Sequence, residues 1–196
     1  MAVAWTAPLV GREPLPGRGE PLRAHPLSCL LMRHYVDPEM AAVARDAAEA
    51  VAEAYPGTVT LALDGNLPLP DGVPLVPHLS HDDGEELDLA FFYAGPDGAC
   101  LPGATRSPRG YFAFERIPPE ARPRAWPTLR WDRPWLRPDR PLEPARTALL
   151  ERTLLADPRV GKVVLEPPLA DALGVEGARF AGCRAARHDD HLHVQL

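Results

Sequence analysis

The chain predicts an α+β fold, because helical and strand-like periodicities share its 196 residues without a regular strand–helix–strand repeat. Three stretches carry this reading. Asp37-Pro38-Glu39 opens a run in which Met40, Val43, Ala47, Val51 and Ala54 recur at helical spacing before Pro56-Gly57 ends it. From Glu86 to Tyr93, Leu87, Leu89, Phe91 and Tyr93 alternate with Asp88, Ala90 and Phe92, the period of a strand with one buried face. At the C-terminus, Leu192, Val194 and Leu196 alternate with His191, His193 and Gln195. A small antiparallel sheet with flanking helices is the arrangement expected. The 25 prolines and 15 glycines call for long, stiff loops between its elements.

In chain order, residues 1–36 are Pro- and Gly-rich and read as an irregular lead-in, and residues 37–196 as a single domain. Asp37 supplies the side-chain cap of the first helix, Pro38 its first turn and Glu39 an acid near the positive end of its dipole. Thr58 to Leu63 reads as a short strand and Asp64 to Pro77 as a loop. Tyr111 to Phe114 reads as another short strand, and Pro144 starts a second amphipathic helix that runs to Asp157-Pro158. Val160 to Leu165 is expected to be a strand, Leu169 to Leu173 a short helix and His191 to Leu196 the final strand. The segment 118–141 combines seven prolines with Trp126, Trp131 and Trp135, a composition that makes neither helix nor central strand. Those tryptophans are expected to pin the loop to the body.

A net charge of −6 argues against nucleic acid as partner, since binding phosphate takes clustered cations. No apolar stretch is long enough to span a bilayer, and no secretory signal is visible in Met1 to Glu20. Cys29, Cys100 and Cys183 are too widely spaced for a zinc knuckle.

The histidines carry the chemistry. Five of the seven fall in two clusters, His78 and His81, then His188, His191 and His193. Residues two apart on a strand share a face, so His191 and His193 project together while Leu192 and Val194 enter the core. An imidazole face on an apolar underside is a rigid platform for metal ligands, and zinc takes imidazole nitrogen together with carboxylate oxygen. A lone His-x-His is common on protein surfaces; the other cluster adds weight to this one. His81 precedes Asp88 by seven residues with Gly84 between, where a tight turn lets a loop imidazole and a strand carboxylate approach one ion. A charge at position 88, inside an apolar run, is costly unless paired or bound to metal.

His78-Leu79-Ser80-His81-Asp82-Asp83-Gly84-Glu85-Glu86-Leu87-Asp88 resembles the pattern H-x-S-H-x-x-G-x-x-x-D of penicillin-insensitive murein endopeptidases, and His188-Asp189-Asp190-His191-Leu192-His193-Val194-Gln195-Leu196 resembles their closing H-x-x-H-x-H-V-R-L. The resemblance implies the fold of D-Ala-D-Ala metallopeptidases and one zinc ion per chain held by His81, Asp88 and His193. It places His188 and His191 near the metal without ligating it. His188 is the preferred base and His191 the oxyanion stabiliser or orienter, roles the two could exchange. His78 and Ser80 would fix the ligand loop. The implied partner is peptidoglycan peptide, cut at bonds involving D-amino acids, which places the family in the periplasm or cell envelope; with no signal visible, the cytoplasm is the alternative compartment. A D-Ala-D-Ala-type carboxypeptidase and a non-catalytic zinc-stabilised binding domain are the alternatives. Gln195 stands where the pattern has arginine, and Asp82-Asp83 make the surroundings more acidic.

Overall fold

The computed structural model describes residues 6–76, 78–115, 140–182, 185 and 187–196. A 3₁₀ turn at Ala7–Val10 leads into β1 (Glu13–Pro14), β2 (Leu22–Ala24), α1 (Pro26–Leu30), β3 (Tyr35–Val36) and α2 (Pro38–Ala54). There follow β4 (Thr60–Ala62), β5 (Glu86–Ala90), α3 (Pro144–Ala156), β6 (Lys162–Val164), α4 (Pro167–Leu173) and β7 (His191–Gln195). The fold is α+β. A five-stranded sheet runs β2-β4-β5-β7-β6, and β1 and β3 form a separate pair.

Capping explains where the long helices begin. The Asp37 side chain accepts the Glu39 N–H at 2.7 Å, and Glu143 accepts the Arg146 N–H at 2.9 Å. Both helices have proline in the first turn, where its missing N–H costs nothing. Met40, Val43, Ala44, Ala47 and Val51 form the buried stripe of α2, which packs on α3. Leu87 and Leu89 of β5, Leu192 and Val194 of β7 and Val163 of β6 belong to the same core as these helical residues. The register pairs Asp88 with His193 and Leu87 with Val194, so the apolar set faces one side and the histidines the other.

The structure corrects four local expectations. The stretch before Asp37, read as irregular, contributes three strands and a helix, and β2 lies in the main sheet. The sheet is mixed rather than antiparallel, because β2 pairs parallel with β4. β5 stops at Ala90 instead of continuing to Tyr93: Phe92 turns away to bond α3, its N–H reaching Thr147 Oγ at 3.2 Å and its carbonyl accepting from Glu143. Tyr111 to Phe114 is not a strand. Phe112 is left-handed (φ 66°), which no ladder tolerates. The reading of Trp126, Trp131 and Trp135, and Cys183, fall outside the described residues; Cys29 and Cys100 are free thiols.

Glu151 of α3 is an exception within the core. It is fully buried, and neither carboxylate oxygen has a hydrogen-bond partner. Burial raises its pKa from 4.5 to about 7, against the pull of Arg152. As pH rises from about 4.5 to about 7 the unfolded chain ionises this group and the folded chain does not, so stability falls over that window. Glu151→Gln is expected to remove a pH-dependent loss of up to about 3 kcal/mol. Urea midpoints of parent and variant at about pH 5 and about pH 8 check this; parallel profiles would rule it out.

Candidate metal centre

The site is built on the polar face of the sheet. β5 presents Asp88, which is wholly buried, and β7 presents His191 and His193 beside it. The 64–85 loop folds over this face: Asp88 N–H bonds the Asp64 carbonyl at 2.8 Å, and a turn closed by His81 N–H to the His78 carbonyl sets those imidazoles a step apart. Two glycines allow the approach. Gly65 lies so close to β3 that a Cβ would stand 2.7 Å from the Tyr35 carbonyl oxygen. Gly84 has φ +91°, and a Cβ there would meet the Arg12 guanidinium at 2.7 Å.

Three imidazole nitrogens surround one oxygen of Asp88. His193 Nδ1 is 2.9 Å from Oδ1, His81 Nε2 3.4 Å and His191 Nε2 3.6 Å. On the other oxygen, Oδ2, His78 Nδ1 stands at 2.9 Å and the Tyr111 hydroxyl donates at 2.8 Å. Two of these rings are aimed from behind. His81 Nδ1 faces the Gly65 carbonyl at 2.7 Å; a carbonyl only accepts, so Nδ1 carries a proton and Nε2 is the nitrogen turned towards Asp88. His191 Nδ1 bonds Asp190 at 2.6 Å, and Asp190 is itself fixed by the Phe112 N–H at 2.6 Å. The left-handed backbone of Phe112 directs that N–H.

The arrangement fits a metal ion. A lone pair held against a carboxylate oxygen is repulsive unless a cation or proton sits between them. His78 Nδ1 is buried and, although 2.9 Å from the carboxylate, makes no hydrogen bond of acceptable geometry. Imidazole and carboxylate are a zinc-type donor set. Among the described residues, His78, His81 and Asp88 each offer a donor atom within 4.8 Å of the others.

Charge is divided across the cluster. Burial pushes the Asp88 carboxyl up, but the charges of His191 and His81, with His193 and His78 close beside it, hold it well below the carboxylate range. Burial opposes a charge on His191, yet Asp88 and Asp190 raise it to about 9. Burial, and then the charge of His191, lowers His188 to about 2. In Tyr111 burial and the charges of Asp88 and Asp64 raise the phenol well above 10.0, so it remains a donor.

No protein-family model and no curated protein matches the chain.

Every histidine singled out from the sequence comes to this cluster. His188 lies 5.0 Å from His191 and 5.5 Å from His193, ring centre to ring centre. His78, expected to support the loop, is as close to the carboxylate as His193. Ser80 is exposed on the cavity rim and ties the loop through its carbonyl, which accepts from Asp82, not through its hydroxyl. Of the arginines in the neighbouring loop, Arg106 is bound to Glu115 at 2.6 Å. Tyr111, Asp64, Asp190 and Glu166 were not singled out as site residues. Glu166 anchors the His188 backbone through two bonds: its Oε1 accepts the His188 N–H at 3.3 Å, and its own N–H reaches the His188 carbonyl at 3.1 Å. Only Asp190, next to His191, had a signal in the sequence.

Tyr111→Phe removes one bond to Asp88 and leaves the Asp64 N–H, 3.0 Å from the hydroxyl, without its acceptor. The expected cost is about 1–3 kcal/mol in stability and about 10–100-fold in metal affinity. Chelator competition and chemical unfolding read the two effects. Unchanged metal affinity would show that the phenol does not hold the carboxylate.

Proposed function

We propose that the chain is a zinc-dependent peptidase of the penicillin-insensitive murein endopeptidase type, with the D-Ala-D-Ala metallopeptidase fold, hydrolysing D-amino-acid-containing bonds in peptidoglycan in the cell envelope. The observation that carries this is a wholly buried carboxylate ringed by imidazoles on the wall of a cavity of about 590 Å³, a volume suited to a peptide. His81, Asp88 and His193 are the ligands in this reading. The two sides of Asp88 support that choice: the β7 imidazoles and His81 gather on Oδ1, while His78 and Tyr111 steady Oδ2. Zinc bound here would polarise the scissile carbonyl and acidify a water molecule.

The remaining steps belong to the protein. His188 lines the cavity and is held neutral by burial and by the charge of His191; in this reading it takes the proton of the attacking water as that charge is drawn to the oxyanion, and passes it to the leaving amine. His191, backed by Asp190, presents Nε2 as a cationic donor to the developing oxyanion. Asp190 keeps the His191 ring in place, and Glu166 holds the backbone that carries His188. Cleavage of a cross-link and removal of a terminal D-Ala use the same groups and differ in which side of the bond the cavity fills.

Protein purified without added zinc is expected to contain about one zinc per chain, lost in His81→Ala and Asp88→Ala. With muropeptide dimers, the parent should yield monomers, and His188→Ala should keep its zinc while turnover falls about 10²–10⁴-fold. Release of terminal D-Ala instead would assign a carboxypeptidase. A zinc-loaded parent that cleaves neither would leave the zinc-stabilised binding domain.

A further inference from the structure

The cavity wall beyond the histidines has a charge that the hydrolytic residues do not use. Lateral pairing places Asp88 opposite His193, His193 opposite Val164 and Val164 beside Arg179. Residues paired this way project to one face, so Arg179 rises on the same side as the metal centre, about 10 Å from His193 across two strand spacings. Lys162 is two residues before Val164 on β6, therefore on the same face and about 7 Å along the strand. Both side chains line the cavity with Asp88 and His193.

Neither cation is neutralised by a described residue. The other described arginine of the cavity, Arg187, is buried in an ion pair with Asp189. Its acids, Asp88 and Asp190, are engaged by imidazoles. Lys162 and Arg179 form no ion pair with any described residue, in a chain with 27 acidic and 21 basic residues. The base of Arg179 is fixed, its N–H bonding the Val163 carbonyl at 2.8 Å and its carbonyl accepting from Leu165 at 3.1 Å. Beside it, Phe180 lines the same wall and offers an apolar surface to a ligand's alkyl portion. A guanidinium on a fixed backbone and an ammonium lining the same cavity match an anion, and a carboxylate is the anion a peptide carries.

We propose that Lys162 and Arg179 form a carboxylate-binding subsite, so that the substrate is a peptide with a free carboxylate one or two residues from the scissile bond. The proposal rests on the peptidase reading. Its dimensions agree: one or two residues beyond the scissile carbonyl place a carboxylate about 4–8 Å away, within reach of long side chains rooted about 7–10 Å from His193.

The test is calorimetric binding to the zinc-loaded full chain of three probes: N-acetyl-D-Ala-D-Ala, its C-terminal amide, and an amidated analogue with a glutamate side chain. The parent is expected to bind the free acid at least about tenfold more tightly than the amide. In Lys162→Met/Arg179→Met, the difference should fall below about twofold, with zinc content and circular dichroism unchanged. Lys162→Gln and Arg179→Gln, made singly, should each lose part of the preference and serve if the double variant does not fold. Tighter binding of the glutamate analogue than of the plain amide would place the recognised group on a side chain; preference for the acid alone would place it at the C-terminus. Equal binding of all three probes by the parent, no binding of any of them, or discrimination retained in the folded variants would overturn the subsite. Since the readout is binding, a parent that discriminates between the probes but neither splits muropeptide dimers nor releases terminal D-Ala overturns the peptidase reading and leaves the subsite standing.

Discussion

A carboxylate with no solvent exposure, at the centre of a strand, has to be surrounded by donors before the chain around it can fold. Desolvating an ion costs several kcal/mol even after relaxation. At Asp88 the compensation arrives from distant parts of the sequence: His78 and His81 from one loop, Tyr111 from another, and His191 and His193 from the last strand. The fold and the site therefore share one constraint. The loop cannot detach from the sheet without stripping donors from Asp88, and β7 cannot slip by one residue without exchanging His193 for Leu192 or Val194. This requirement is what makes a short five-residue strand an exact scaffold in a chain rich in proline.

The supports of the donors extend the same logic outward. Asp64 illustrates it. Its backbone carbonyl and N–H serve β5 and Tyr111, while its carboxylate pairs with Arg33 at 2.7 Å and accepts from Ser28. Arg33 and Ser28 lie in the segment ahead of Asp37, so that segment reaches the Asp88 cluster through two intervening residues. β2 beside β4 fixes it further. An apparently structureless lead-in is thus a structural wall of the site, and its many turns are what let it run close to the loop at Gly65.

Much of this was legible in the sequence, for reasons of local chemistry. The α2 boundaries follow from Asp37, Pro38 and the Pro56-Gly57 stop, because capping and chain-breaking act within one turn. The pairing of His191 with His193 on one face follows from strand period alone. Asp88 stood out as a charge in an apolar run. The contributions that escaped are those whose meaning depends on contacts far along the chain. Tyr111 is an aromatic in a turn-rich stretch until its hydroxyl is placed against Asp88. β2 is three residues long, too short for periodicity, and exists because β4 offers it a ladder. The lengths of β5 and of the Tyr111–Phe114 segment were misjudged for a related reason: alternation of apolar residues continued past the point where Phe92 and Phe112 gave their backbone bonds to α3 and Asp190.

Two neighbouring imidazoles, His188 and His191, show how the surroundings divide labour between identical side chains. Their rings are 5.0 Å apart, yet His191 has Asp190 behind it and Asp88 in front, whereas His188 is held only by its backbone, through Glu166. A carboxylate behind a ring favours the imidazolium; its absence, with partial burial, favours the neutral ring. Once one of the pair carries charge, the other is further disfavoured from doing so, so the difference reinforces itself. On the peptidase reading, this supplies an electrostatic donor and a proton acceptor side by side without any difference in residue type, the environments separating the acid and base roles. It also explains why two anchors are needed: an exchange of the environments, not of the residues, would exchange the roles.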